Sequence, residues 1–311
     1  MGNLVGLLAL LVTIIVVAVI LRREGGKKKS NKDYFAGKKP VKPAAASDNR
    51  DWPAIVEKAR DVAMAMARPA ISLTMVKDQI TDDPHSSIGG RPSLPAGAKW
   101  PGGRDGKPMI FLAQINFADM PPLDGYPKEG VLSFFVEDND LNGCDFPSKD
   151  NTGFKVLYHA DPKALQRLDL PDHSWEFTPF NAELTTQGRR LTGQLASGAI
   201  SPNSAEGQNL TQDWYPDCPG ALWDSFHEAL TEAKPALVYY GGHPDFTQDD
   251  FRRADDDPKL TEVLLQLGFV LDRENDVEIC WGDAGEACFL ISKADLAERK
   301  FEKVAYNWDC S

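Results

Sequence analysis

Asp283 falls between Gly282 and Ala284 in the stretch EICWGDAGEACFLI, residues 278–291. An acid so placed does one of two things: it accepts backbone N–H groups within its own turn, or it serves as acid or base in a cleft. Asp138 ends a comparable apolar run, GVLSFFVED, and is its distant counterpart. Gln114 in FLAQINF (111–117) and Gln266 in VLLQLGF (263–269) each set a primary amide inside an apolar strand. The amide's two donors and its carbonyl must find partners there. It either braces the backbone of a neighbouring loop or lines a cleft and orients a small polar substrate. Arg91 and His243 follow paired glycines in IGGRPS (88–93) and YGGHPD (240–245), where a tight turn presents a polar side chain. Trp281, at a strand end, caps a core or offers a stacking surface.

Known catalytic signatures are missing from the chain. It has no HExxH, no GxSxG, no Walker loop and no GxGxxG after a strand. The five cysteines form no CxxC and no Cys/His pair at zinc spacing, so free thiols are expected and no metal or other cofactor is implied. In a hairpin with the four-residue loop 282–285, Trp281 would face Glu286 and Ile279 would face Cys288. Cys280 and Cys288 would then point to opposite faces, too far apart in direction for a disulfide.

The elements that must position these residues are mostly short strands. Candidates are 70–76, 109–117, 130–137, 154–159, 236–242, 263–269, the hairpin and 303–309. Helical spacing appears over 52–67, with Asp51 as N-cap and Pro53 in the first turn, and again over 220–233. Ser292 with Asp295 starts a last helix. Gly90 and Gly242, Pro92 and Pro244, Gln114 and Gln266, and Phe117 and Phe269 are all separated by 152 residues. A shared offset in two separate blocks suggests internal duplication. The expected class is α+β: β-rich, mostly antiparallel sheets in two related halves, about 70–160 and 235–311, joined by a connecting region at 161–234.

IGGRPSLP, FLAQINF, GVLSFFVEDND, VLLQL, WGDAG and VAYNWDC together resemble the YwqG-like family, a bacterial domain family of unknown function, over residues 55–310. The resemblance implies a β-rich fold with related halves. It also implies a role like that of members encoded beside secreted toxins, which act as immunity or interaction proteins. It carries over no catalytic residue.

Residues 4–21 are eighteen consecutive uncharged residues, about 27 Å as a helix, and predict a transmembrane anchor at 1–23. Nine basic residues follow the span within 22–42 and none precedes it, which places the N-terminus outside and the rest on the cytoplasmic face of a bacterial inner membrane. The segment 24–50 reads as a flexible basic tether. Residues 51–311 then hold 24 basic and 43 acidic residues, a net charge of −19, which excludes nucleic acid as a ligand and admits a cationic one. The sequence thus reads as a membrane-tethered binding domain with a protein partner. The alternative is an enzyme in which Asp283 or Asp138 is the acid or base while Gln114 and Gln266 orient the substrate. If Asp283 only closes its turn, Asp283→Asn costs about 1 kcal/mol or less and Asp283→Ala costs more. Denaturant titration of the two variants measures the difference.

Overall fold

The computed structural model describes residues 49–77, 81–144, 152–252 and 260–310. Asp51 caps α1 (Trp52–Ala65), accepting the N–H of Ala54 at 3.3 Å, and Pro53 sits in the first turn, where a missing N–H costs nothing. The face Trp52, Val56, Ala59 and Ala63 packs against Phe226 and Leu230. Those two belong to α4 (Gly220–Glu232), which follows the short α2 (Ala182–Gln187) and α3 (Ala205–Thr211). The last helix, α5 (Lys293–Ala297), starts from Ser292, whose hydroxyl accepts the N–H of Asp295 at 3.0 Å.

The strands are β1 (Arg68–Val76), β2 (Ser87–Ile88), β3 (Ser93–Pro95), β4 (Ile110–Asn116), β5 (Val131–Val136), β6 (Phe154–His159) and β7 (Leu165–Arg167). They continue as β8 (Arg189–Gly198), β9 (Val238–Gly241), β10 (Leu260–Leu267), β11 (Val270–Asp272), β12 (Val277–Ile279), β13 (Glu286–Ser292) and β14 (Ala305–Asp309). Ten of them form one antiparallel sheet in the order β14-β13-β10-β9-β1-β8-β2-β4-β5-β6. The sheet curls until its outer strands meet across a shared core. Phe154 of β6 lies 5.2 Å from Tyr306 of β14, and Phe134 of β5 lies 5.0 Å from Phe289 of β13. Burying each such aromatic side chain stabilises the fold by about 1.5–3 kcal/mol, so closing the inner face outweighs the cost of curling the sheet.

This architecture corrects the expectation of sheets divided between two halves and preceded by a transmembrane helix. A single nearly closed sheet runs through both regions, because β1 and β8 pair over nine consecutive residues at its centre, Arg68 with Gly198 through Val76 with Arg190. β8 comes from the region expected only to connect. Among the described residues no helix is long and apolar enough to cross a membrane, so the single-pass anchor and the localisation drawn from it are not supported. The apolar run at 4–21 and the tether up to residue 48 lie outside the described residues.

The hairpin also departs from its expected register. Trp281 bridges Gly285, whose N–H donates to the Trp281 carbonyl at 2.8 Å, so the turn has three residues rather than four. β12 pairs with β11, while β13 runs between β10 and β14, so Cys288 faces Gln266 and Asn307 instead of Ile279. None of the five cysteines is disulfide-bonded.

Local contacts recur at the 152-residue spacing. Ser87 pairs with Gln114, and Tyr239 pairs with Gln266. After each short strand two glycines take left-handed backbone, Gly89 and Gly90 at φ 64° and 66°, Gly241 and Gly242 at φ 75° and 68°. At Gly89 a Cβ would lie 2.1 Å from the Leu184 carbonyl oxygen, whereas at Gly97, also left-handed at φ 77°, a Cβ would meet nothing within 4 Å. Gly97→Ala is therefore expected to cost about 1 kcal/mol, the left-handed penalty alone. Gly89→Ala should cost upwards of ~2 kcal/mol, because backbone must move as well. Chemical denaturation of both variants checks the ordering.

Candidate functional site

Three of the segments picked out in the sequence converge on one cavity of about 320 Å³. The loop after Gly242 supplies Asp245, Phe246 and Thr247, the end of the Gln266 strand supplies Gly268 and Phe269, and the hairpin supplies Ala284, Gly285 and Glu286. His227 and Thr231 of α4 and Lys234 just beyond it close the fourth side.

Gln266 organises the floor from below. Its Oε1 accepts the N–H of Asp245 at 3.3 Å, and its Nε2 donates to the Asp245 carbonyl at 3.1 Å and to Glu286 Oε2 at 2.9 Å. The Asp245 carboxylate is ion-paired with the Lys234 ammonium. Thr247 Oγ1 reaches Glu286 Oε1 at 3.5 Å. Behind this layer, Asp309 accepts the N–H groups of Thr247 at 3.1 Å and Gln248 at 2.8 Å, which pins the loop to β14.

Two carboxylates, Asp245 and Glu286, thus stand against one ammonium, with Asp309 behind them, in surroundings too dry for every acid to ionise freely. Burial, followed by the charge of Asp245, pushes the Glu286 carboxyl up to about 8 against the pull of Lys234. Burial also raises Asp309, opposed by the two backbone N–H groups. For Lys234 burial works against the ammonium, yet Asp245 and Glu286 outweigh it and hold its pKa above the ordinary lysine value. Burial keeps the His227 imidazole below its usual pKa. Near neutral pH the cavity therefore presents a protonated Glu286 and a neutral His227 beside the ion-paired Lys234.

The other residues singled out in the sequence are dispersed. Gln114 performs the same bracing as Gln266, accepting the N–H of Ser93 at 2.8 Å and donating to the His85 carbonyl at 2.6 Å, but its other contact is the Ser93 hydroxyl at 3.4 Å where Gln266 meets a carboxylate. Asp283 is exposed at the hairpin tip, between left-handed Gly282 and Ala284, and does not line the cavity. Asp138 accepts the N–H groups of Glu176 at 3.0 Å and Phe177 at 2.8 Å and contacts His173 at 3.3 Å, holding a loop. Arg91 pairs with exposed Asp169, and His243 Nε2 contacts the Met66 carbonyl at 2.8 Å. Trp281 is fully buried in the main core, 6.1 Å from Trp308. Among the described residues no group of His, Cys, Asp or Glu could hold a metal ion.

Sequence reasoning passed over Lys234, Asp245, Glu286 and Asp309. Two signals were present. Asp245 stands 152 residues after Ser93, in the loop that Gln266 braces, and Glu286 is an acid opening the otherwise apolar strand ACFLI.

A β domain built on one curled ten-stranded sheet, with a carboxylate-lined cavity, is the class of protein that this fold and site define. The family described as Domain of unknown function (DUF1963) matches residues 86–310, and the chain belongs to that family. No curated protein matches the sequence.

The raised Glu286 pKa fixes a sign for stability. Its folded pKa of about 8 lies above the value of 4.5 for a free glutamate. Between those values the unfolded chain sheds a proton that the native state keeps, so stability falls as pH rises through that window. Glu286→Gln removes the titrating group and should unfold with wild type near pH 4.5. At pH 8 it should be more stable by ~2–4 kcal/mol. Thermal scans across pH 4.5–8.5 check the crossover.

Proposed function

We propose that this domain works by binding, as a YwqG-like interaction module, and that its cavity accepts a cationic group carried by a protein partner. The single observation that carries the reading is the charge count at the cavity floor. Asp245 and Glu286 face Lys234 in the cavity lining, and the proton on Glu286 takes the place of a second cation. An ammonium or guanidinium entering the cavity would displace that proton and leave the carboxylate ionised and paired. The net charge of −19 over residues 51–311 draws cations toward the domain and repels nucleic acid. The resemblance to families of immunity and interaction proteins supplies the kind of partner, a protein presenting a lysine or arginine.

A second reading, an enzyme, has one observation in its favour. A carboxyl protonated at neutral pH beside a neutral imidazole is apparatus for proton transfer. In that reading Glu286 is the acid, Gln266 orients it, and Asp283, Asp138 and Gln114 play no part.

Calorimetric titration with Nα-acetyl-lysine methylamide, using the norleucine analogue as the uncharged control, tests the binding reading. The lysine probe is expected to bind with release of close to one proton at pH 7, seen as a dependence of the heat on buffer ionisation enthalpy. Its apparent affinity should fall about tenfold per pH unit below pH 7.5, because each binding event must first deprotonate Glu286. Equal binding of the norleucine analogue, or a flat pH profile, overturns the assignment.

A further inference from the structure

We propose that a second cavity, on the far side of Leu237 from the acidic one, binds a small apolar carboxylate at Arg189. This cavity measures about 250 Å³ and is walled by Leu73, Met75, Val238, Val270 and Val277. Arg189 and Lys77 bring two cations to it, against one acid, Asp272. The Asp272 carboxylate is occupied within its own turn, accepting from Glu274 N at 3.1 Å, Asn275 N at 3.1 Å and Asn275 Nδ2 at 2.7 Å.

Arg189 is 5% exposed. Its Nη1 donates to the Gly188 carbonyl at 2.8 Å and its Nη2 to the Asn275 carbonyl at 2.9 Å. Both nitrogens lie 3.4 Å from Glu183 Oε1, a long contact to a side chain that is 39% exposed. Its Nε is buried and has no hydrogen-bond partner among the described residues. A buried guanidinium whose Nε is unmet and whose counter-ion sits at the long end of hydrogen-bond range is an incomplete arrangement. A carboxylate completes it, offering two oxygens to a guanidinium edge, and the aliphatic walls accept the attached chain. The cavity holds about eight water volumes at ~30 Å³ each, which suits a ligand of about six to nine heavy atoms. Seating the carboxylate on Nε requires a small shift of the Arg189 side chain toward the cavity, since that nitrogen is buried.

The probe is hexanoate, compared with hexanamide at equal ionic strength, read by thermal shift and calorimetry on the full chain. Hexanoate should raise the midpoint by a few degrees at concentrations well above its Kd, and hexanamide should not. Glu183→Gln, on the surface of α2, removes the competing carboxylate and should tighten hexanoate binding about three- to tenfold. Val270→Trp fills the cavity without touching Arg189 and should abolish the response. Glu286→Gln should leave hexanoate binding unchanged, which separates this site from the cation cavity. An equal response to hexanamide, no shift at any concentration, or no effect of Glu183→Gln and Val270→Trp overturns the proposal. Arg189 would then serve only to hold the Gly188 and Asn275 carbonyls.

Discussion

The nine-residue pairing of β1 with β8 is the constraint on which the rest of the molecule depends. β1 also pairs with β9 and β8 with β2, so this one ladder joins what would otherwise be two five-stranded sheets with four edges. Joining them leaves a single curled sheet whose outer strands meet through Phe154, Phe289 and Tyr306. A sheet this wide survives in water because its inner face is sealed by its own curvature and its outer face by loops and helices. The same ladder sets Leu73 and Met75 of β1 near Arg189 of β8, which creates the smaller cavity.

The two cavities share one wall. Leu237 lines both, and its carbonyl accepts the N–H of Gly268 at 2.8 Å, so the chain segments around 237 and 268 run side by side as a partition. On one side of it Asp245 and Glu286 stand against an ammonium; on the other a buried arginine stands beside aliphatic side chains. Arg189, Lys234 and Glu286 are each held by local partners, the Gly188 and Asn275 carbonyls for Arg189, Asp245 for Lys234 and Gln266 for Glu286.

A glutamine bracing a loop is the device that the fold uses twice. Around Gln114 the braced loop carries Ser93 and the flanking strand residues are Ser87 and Ser133. Around Gln266 the same positions hold Asp245, Tyr239 and Cys288, and Glu286 joins them. The backbone geometry is alike, and the side chains decide that only the second place has buried charge to offer a ligand. Retaining such a cluster costs stability, since a core of apolar residues would avoid the desolvation of Glu286 and Lys234. That cost is the kind that functional sites impose.

Local physics was legible in the chain alone. The capped, 3.6-spaced run after Asp51, the Ser292–Asp295 start, the paired glycines and the glutamines placed 152 residues apart all rest on interactions within a few residues, and each appears in the structure at the position where the sequence put it. Membership of a domain family of unknown function was legible too, from short motifs in order. Long-range pairing was not. Nothing in the periodicity of 189–198 says that it lies against 68–76, and nothing in WGDAGE says that β13 leaves the hairpin to sit between β10 and β14. Period-2 patterning specifies which face of a strand is apolar and leaves open which strand lies beside it. For that reason the sequence drew attention to Asp283, whose turn is local. Only the tertiary structure brought Lys234, Asp245, Glu286 and Asp309 together, because burial and proximity across 75 residues of chain, and not residue type, make those four a site.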